Sequence, residues 1–280
     1  MIEIGKLNRL KIVKEVDFGL YLDGYHLGEI LIPKRYVPKN CNIGDDIQVF
    51  IYKDSEDRLI ATTEKPYVMV EECACLKVVS TNRAGAFLDW GLPKDLLVPF
   101  SEQKPAMEEG KRYVVAVYLD EETDRIVASA RLNDFLDDEA NGDFSQGDAV
   151  NLFVANRSDL GYKMIINNSH WGLLHHQEVL QPLKRGQHLK GFVSKIRDDD
   201  RIDLSLHIKK RDKTDDAVAI IMRELTGMGG FIAVTDKSTP GLVQDLFGIS
   251  KGMYKKAIGS LYKRKMIVIE KEGIRLVVSK

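Results

Sequence analysis

The sequence is poor in cysteine, with three residues in 280: Cys41, Cys73 and Cys75. Three cysteines cannot form a disulfide framework, and the closely spaced pair lacks the second pair that a structural zinc site requires. No apolar run approaches the ~20 residues that a membrane-spanning helix needs. The N-terminus also lacks the basic-then-apolar pattern of an export signal. We therefore expect a cytoplasmic protein with no metal site and no membrane partner.

The net charge is small, −1 for the whole chain, but the charges are unevenly distributed. Residues 1–143 carry 18 Lys and Arg against 27 Asp and Glu, a net charge of −9. Residues 144–206 carry 8 against 7, and residues 207–280 carry 15 against 8, which gives +1 and +7. A basic C-terminal region with ordered-fold patterning predicts that a polyanion binds there.

A pattern of glycines recurs three times in the first 206 residues. In each copy a second glycine follows the first after 25 residues: Gly19 and Gly44, Gly85 and Gly110, Gly161 and Gly186. Each copy then closes with an Asp-Arg-apolar run. Alternating apolar residues indicate about five strands in each copy of about 65 residues, the number in an OB-type barrel. We predict a mainly β protein with three tandem five-stranded OB-like barrels, at residues 1–64, 65–137 and 143–207.

From about Thr214 the apolar residues take the period of a helix. Two more helices follow, one starting at Pro240 and one after Ser250, and a tight hairpin lies near Gly273. This order is that of an α+β winged-helix domain, which we place at residues 214–280. The third helix occupies the position of a recognition helix. The cations there that we expect to bind phosphates are Lys251, Lys255, Lys256, Lys263 and Arg264.

The barrel repeats resemble the S1 RNA-binding domain. The resemblance rests on a glycine between aromatic and aliphatic residues, on the run Trp171-Gly172-Leu173-Leu174-His175, and on the closing run Arg201-Ile202-Asp203-Leu204-Ser205-Leu206. In that family two aromatic residues beside the glycine, together with the histidine, form the nucleic-acid face. No single repeat is complete here. Pro33 and Pro99 replace the histidine in the first two repeats, and Ala84, Leu160 and Lys163 stand where aromatics are expected.

We predict RNA contacts for six barrel residues. The resemblance assigns them to Phe18 and Tyr21 in the first repeat, Phe87 in the second and His175 in the third. Lys163, which replaces an aromatic, and Trp171 are added because the third repeat has the favourable charge. An exposed aromatic ring stacks on a base for roughly 1–3 kcal/mol, whereas a lysine makes a salt-sensitive phosphate contact. Two alternatives stay open. The rings of the first two repeats could serve packing in or between domains, and the tryptophan could be buried where it closes its barrel.

Three S1-like barrels followed by a winged helix are similar, over the whole chain, to the bacterial conserved virulence factor B family. The run from Gly248 to Lys265 resembles the C-terminal domain of that family particularly closely. The resemblance implies a non-enzymatic RNA-binding protein that affects gene expression after transcription. We accordingly predict single-stranded RNA as the partner, bound jointly by the third barrel and the winged helix.

Sequence motifs of catalysis are lacking. There is no phosphate-cradling Gly-x-x-x-x-Gly-Lys-(Ser/Thr) run and no nucleophile elbow. The acidic triplet 198–200 lies at a turn that is acidic in all three repeats. We therefore predict no enzymatic activity, no cofactor and no small-molecule substrate. Two other hypotheses stay open: a DNA-binding transcriptional regulator that acts through the winged helix, with the barrels as protein-contact modules, and an adaptor bound to the ribosome or to a polymerase.

Overall fold

The computed structural model describes residues 2–207 and 213–277, and it confirms the predicted fold class. The chain divides into two compact units, residues 1–206 and residues 207–280. The first unit contains three closed barrels of five strands each. The second contains three helices and a small sheet.

The three barrels share one strand order. In each, the first strand pairs with the second and the fourth, and the third pairs in parallel with the fifth, which is the OB connectivity. Barrel 1 consists of β1 (Leu7–Val16), β2 (Gly19–Asp23), β3 (Glu29–Pro33), β4 (Asp46–Lys53) and β5 (Leu59–Thr62). Barrel 2 consists of β6 (Cys73–Asn82), β7 (Gly85–Asp89), β8 (Leu96–Pro99), β9 (Arg112–Asp120) and β10 (Arg125–Ser129). Barrel 3 consists of β11 (Ala149–Arg157), β12 (Gly161–Ile166), β13 (His170–His175), β14 (His188–Ile196) and β15 (Ile202–Ser205).

The first two strands of each barrel show how the sequence encodes its closure. In β2, Leu22 is fully buried while Tyr21 is half-buried on the outer face. Strands β7 and β12 repeat this alternation of core and outer residues. A bulge recurs at the same place in the first strand of every barrel, after Ile12, Val78 and Val154. Such bulges bend a strand, which lets it pair on both of its edges around a small barrel.

The barrels pack side by side through their outer faces. Between barrels 1 and 2, the rings of Phe50 and Trp90 meet edge to face with 5.7 Å between centroids. Between barrels 2 and 3, Phe153 and Ile165 are buried in one cluster with Val114. These contacts join the three barrels into one compact unit, as expected for domains of about 65 residues, which bury little apolar surface alone.

The second unit is a winged helix. Its helices are α1 (Lys213–Gly227), α2 (Pro240–Phe247) and α3 (Lys251–Lys263), and its sheet has the order β16 (Phe231–Ile232), β18 (Ile274–Leu276), β17 (Ile267–Ile269). The Ser250 hydroxyl accepts a hydrogen bond from the Met253 amide (3.3 Å) and caps α3. The sequence pattern does not predict β16, because two residues are too few to show alternation.

Candidate nucleic-acid interface

The recurring glycine lets two strands of each barrel approach closely. A Cβ atom on Gly19 would lie 2.2 Å from the Ile32 carbonyl oxygen, and one on Gly161 would lie 2.1 Å from the Leu174 carbonyl oxygen. The equivalent glycine of barrel 2 has the same relation to its partner strand. Contacts this short exclude a side chain, so the glycine pattern reflects a steric requirement. The close approach holds an outer-face residue two positions later beside the third strand: Tyr21, Phe87 or Lys163.

Barrel 1 presents an open aromatic pair at this position. Phe18 is 59% exposed, and its ring meets the half-buried Tyr21 ring edge to face, with centroids 6.5 Å apart. The Lys14 ammonium lies 5.5 Å from the centroid of the Tyr21 ring, across the pairing of β1 and β2. An exposed aromatic surface next to a cation can stack a base and neutralise its phosphate.

In barrel 2, Phe87 lines a cleft of about 520 Å³ between barrels 1 and 2. Two cations of this cleft are engaged by the acidic turn of barrel 1. The Arg125 guanidinium pairs with Asp57, and Lys94 Nζ donates to the Asp54 carbonyl oxygen (2.6 Å). The hydrogen bond from Arg125 lowers the pKa of the Asp57 carboxyl. The turn of barrel 1 therefore shares the cleft with Phe87, whereas the ring of Phe18 lies open.

In barrel 3, His175 belongs to a small polar network. Its side chain is 40% exposed, and its Nε2 lies 3.2 Å from Oδ1 of Asp203. The Arg197 guanidinium donates to both oxygens of that carboxylate, at 2.6 and 2.9 Å. Partial burial raises the pKa of the Asp203 carboxyl, but the hydrogen bonds and charges of Arg197 and His175 outweigh it and lower that pKa. The network holds an imidazole and a guanidinium on the outer face of the barrel.

Replacing Asp203 with asparagine is expected to remove a pH-dependent contribution to stability. Because the pKa of Asp203 is lower in the folded than in the unfolded chain, the ionised carboxylate stabilises the fold above about pH 4. That contribution is lost as the pH falls through the folded-state pKa. In urea titrations of wild type and D203N, the difference in free energy of unfolding should therefore be largest near neutral pH and shrink in acid. A difference independent of pH would contradict the network.

One assigned contact falls on a buried residue. Trp171 is only 6% exposed and packs in the apolar seam between barrels 2 and 3. Its indole Nε1 donates to Oδ1 of Asn133 (3.1 Å), and Lys163 Nζ lies 3.7 Å from its ring centroid. Desolvation by burial lowers the pKa of Lys163, and the negative charge of Asp138 offsets this only in part. The RNA contact assigned to Trp171 does not fit this environment, and the alternative of a buried tryptophan does, because the ring packs against barrel 2.

In the second unit, α3 separates apolar from cationic side chains. Tyr254, Ile258 and Leu261 are buried against the rest of the unit. The Lys255 ammonium lies 3.9 Å from Oδ2 of Asp236, an ion pair that solvent weakens because both side chains are half exposed. Lys255, Lys256 and Lys263 are exposed on the helix and Arg264 in the turn after it, whereas Lys251, the first residue of α3, is half-buried.

Three side chains at these faces are not singled out by the sequence pattern: Lys14, Arg197 and Asp203. The hairpin register that places Lys14 opposite Tyr21 is a signal that could identify Lys14, because the two strands join through a short turn. Arg197 and Asp203 lie 6 residues apart across the acidic turn, a separation at which hairpin partners meet. Charged residues form 30% of the chain, so such pairs are too frequent to point to one.

Three further observations concern membrane-spanning helices, metal sites and the acidic triplet. Over residues 2–207 and 213–277, no helix has the length and apolar character needed to cross a membrane. Over the same residues, no three His, Cys, Asp or Glu side chains gather in a group that could hold a metal ion. The acidic triplet of the third repeat lies in the turn between β14 and β15, where Oδ1 of Asp199 accepts a hydrogen bond from the Arg201 amide (3.4 Å).

Two parts of the chain match known domain models. Residues 4–64 match the S1 domain, and residues 219–276 match the CvfB-like winged helix domain. Conserved virulence factor B of a Staphylococcus epidermidis strain is 26% identical over 278 residues, which covers 97% of this chain and 85% of the relative. The Staphylococcus aureus protein of that name (strain N315) is 26% identical over 241 residues, which covers 84% of this chain and 80% of the relative.

Among solved structures, a multidomain protein with nucleic acid binding domains from Streptococcus pneumoniae is similar over 98% of each chain, with 23% identity and a TM-score of 0.41. The domain matches fall on the first barrel and on the winged helix, and the staphylococcal relatives extend over most of the chain. The chain therefore contains an S1 domain and a CvfB-like winged helix domain, and it is similar over most of its length to the conserved virulence factor B proteins.

Proposed function

We propose that the protein is a non-enzymatic, cytoplasmic RNA-binding protein that regulates gene expression after transcription. The observation that carries this proposal is the edge-to-face pair of the exposed Phe18 and the half-buried Tyr21 with Lys14 beside it, on the barrel that matches the S1 domain. The ligand is single-stranded RNA, because aromatic side chains stack on bases that are not already stacked within a duplex.

The assigned cations and His175 supply phosphate contacts. Lys163 and His175 lie on the adjacent strands β12 and β13 of barrel 3, and the exposed cations of α3 belong to the second unit. Phosphate neutralisation gives affinity that falls with salt and carries little sequence information. We therefore expect salt-dependent binding with a weak sequence preference.

Replacing Lys251, Lys255 and Lys256 with alanine is expected to weaken binding of single-stranded RNA about tenfold at physiological salt. The slope of log K against log salt should also fall by about 2, since each lost contact to a single strand removes ~0.7. Fluorescence anisotropy with a labelled oligouridylate, repeated over a series of KCl concentrations, measures both quantities.

A matched control removes three exposed lysines of the first unit, Lys39, Lys65 and Lys104. This variant has the same net charge as the α3 variant and should bind RNA like the wild type. Unchanged affinity in the α3 variant would show that the assigned cations do not contact RNA. Equal losses in the two variants would show an effect of net charge alone.

A DNA-binding regulator is the second candidate, favoured by the place of α3 as the recognition helix of a winged-helix domain. The same titration distinguishes the two candidates when a DNA duplex is added at equal salt. Tighter binding of the duplex than of single-stranded RNA would favour the DNA-binding role and refute the proposed function.

A further inference from the structure

A second cleft, the seam cleft, lies between barrels 2 and 3 and has a volume of about 230 Å³. It is lined by residues of β6 and β9 and by the turn before β14. This turn packs tightly, since a Cβ atom on Gly186 would lie 2.6 Å from the Cβ atom of Cys75. The cleft that contains Phe87 involves β7, β8 and β10 instead. The seam cleft is therefore separate from the faces assigned to RNA above.

Two cations line the seam cleft and a third adjoins it. Lys77 and Arg112 lie opposite each other in the register of β6 and β9, and Arg185 belongs to the adjoining turn of barrel 3. Burial raises the pKa of the Cys75 thiol, and the positive charges of Arg185 and Arg112 offset part of that rise. Nη1 of Arg112 donates a hydrogen bond to the Cys75 carbonyl oxygen (3.2 Å). Among the residues that the structure describes, no carboxylate oxygen lies within 4.0 Å of these three cationic groups.

One carboxylate, that of Asp89, also lines the cleft. Like charges directly opposite each other on paired strands destabilise a sheet unless a counter-charge neutralises them. Asp89 lies opposite Lys77 on β7 but does not pair with it; its Oδ1 accepts a hydrogen bond from the Gly91 amide (3.1 Å). With one carboxylate beside three cations, the cleft keeps an excess of positive charge, which a bound anion would neutralise.

An exposed aromatic ring lines the same cleft. Tyr67 is 69% exposed, and its ring lies against Gly91, where a Cβ atom would come within 3.1 Å of it. Gly91 has a φ of +89°, which glycine adopts without strain. His188 also lines the cleft and packs on Phe153 with 4.8 Å between ring centroids. A ring supported by backbone and open to solvent, with cations nearby, suits a stacked base.

We propose that the seam cleft binds one nucleotide, with its phosphate held by the three cations and its base on Tyr67. Guanidinium groups suit this ligand because their planar forks donate paired hydrogen bonds to phosphate oxygens. The volume lies below the ~300–1,000 Å³ of sites that enclose a whole small molecule. The cleft therefore takes a phosphate and its sugar, either of a free mononucleotide or of one unit within an RNA strand. This site goes beyond the proposed function, which rests on other strands and on α3.

NMR titrations of the full chain test the site, because the amides of Gly91 and Gly186 report on it directly. The probes are uridine monophosphate and a short oligouridylate. If the chemical shifts of both amides change on addition of the mononucleotide, the ligand is a free nucleotide. If they change only on addition of the oligouridylate, the ligand is an RNA strand. The Arg112→Gln/Arg185→Gln variant removes two exposed charges. It should bind whichever of the two probes changes the amide shifts of the wild type about tenfold more weakly.

Two further variants separate the parts of the proposal. Tyr67→Leu should weaken nucleotide binding while inorganic phosphate still shifts the Gly186 amide. The K251A/K255A/K256A variant should retain all of these shifts, so the seam cleft and the proposed function can fail independently. Absence of shifts with both probes, or unchanged binding in the double arginine variant, would overturn the proposal.

Discussion

Replacing Gly161 with alanine is expected to lower the free energy of unfolding of the first unit by about 3 kcal/mol. The new methyl group would lie 2.1 Å from the Leu174 carbonyl oxygen, a backbone atom that no rotamer change can move. Relief requires β12 and β13 to separate where they pair. Urea unfolding followed by tryptophan fluorescence measures the loss, because Trp90 and Trp171, the two tryptophans of the chain, both lie in the first unit.

Gly147→Ala is the matched control in the same barrel. Gly147 has a φ of +95° and no atom within 4 Å of a Cβ position, so alanine there meets backbone strain alone. This strain costs roughly 1 kcal/mol. A loss in G161A no larger than that in G147A would mean that the close approach of the two strands is not what requires glycine at position 161.

The barrels could be predicted from the sequence because each repeat carries its own local signals. Alternation along a strand, as in Leu20-Tyr21-Leu22, determines which side chains enter the core, and it depends on backbone geometry alone. The glycine at the start of the second strand is required by the close contact between two neighbouring strands of one barrel. Both signals lie within about 65 residues and recur three times, so chance resemblance is improbable.

Which outer faces of the barrels are covered by a neighbouring barrel could not be predicted in the same way. Alternation places Trp171 on the outside of barrel 3, but whether that outside is covered depends on barrel 2. The same holds for Phe87, whose surroundings include the acidic turn of barrel 1. Lys77 and Arg112 face each other only because β6 and β9 pair when barrel 2 closes. Contacts between repeats, and pairings of strands far apart within one repeat, leave no periodic trace in a single sequence, and the seam cleft combines both.

Replacing Phe18 and Tyr21 together with leucine is expected to weaken binding of single-stranded RNA by about 2 kcal/mol, or roughly 30-fold. Leucine keeps the aliphatic bulk but removes the flat rings on which bases stack. No charge changes, so the slope of log K against log salt should stay that of the wild type. Anisotropy titrations with an oligouridylate over several KCl concentrations measure both quantities, and they distinguish stacking from the phosphate contacts of α3.

Tyr25→Leu provides the control for this variant. Tyr25 is 70% exposed but follows the far end of β2, about 20 Å along the chain from Phe18 at the strand spacing of ~3.3 Å per residue. Its replacement should leave RNA affinity unchanged. If F18L/Y21L bound RNA as tightly as the wild type, the open aromatic pair would not be a stacking platform. If its affinity fell together with its salt slope, the loss would come from displaced cations such as Lys14, since stacking on a neutral ring releases no counterions.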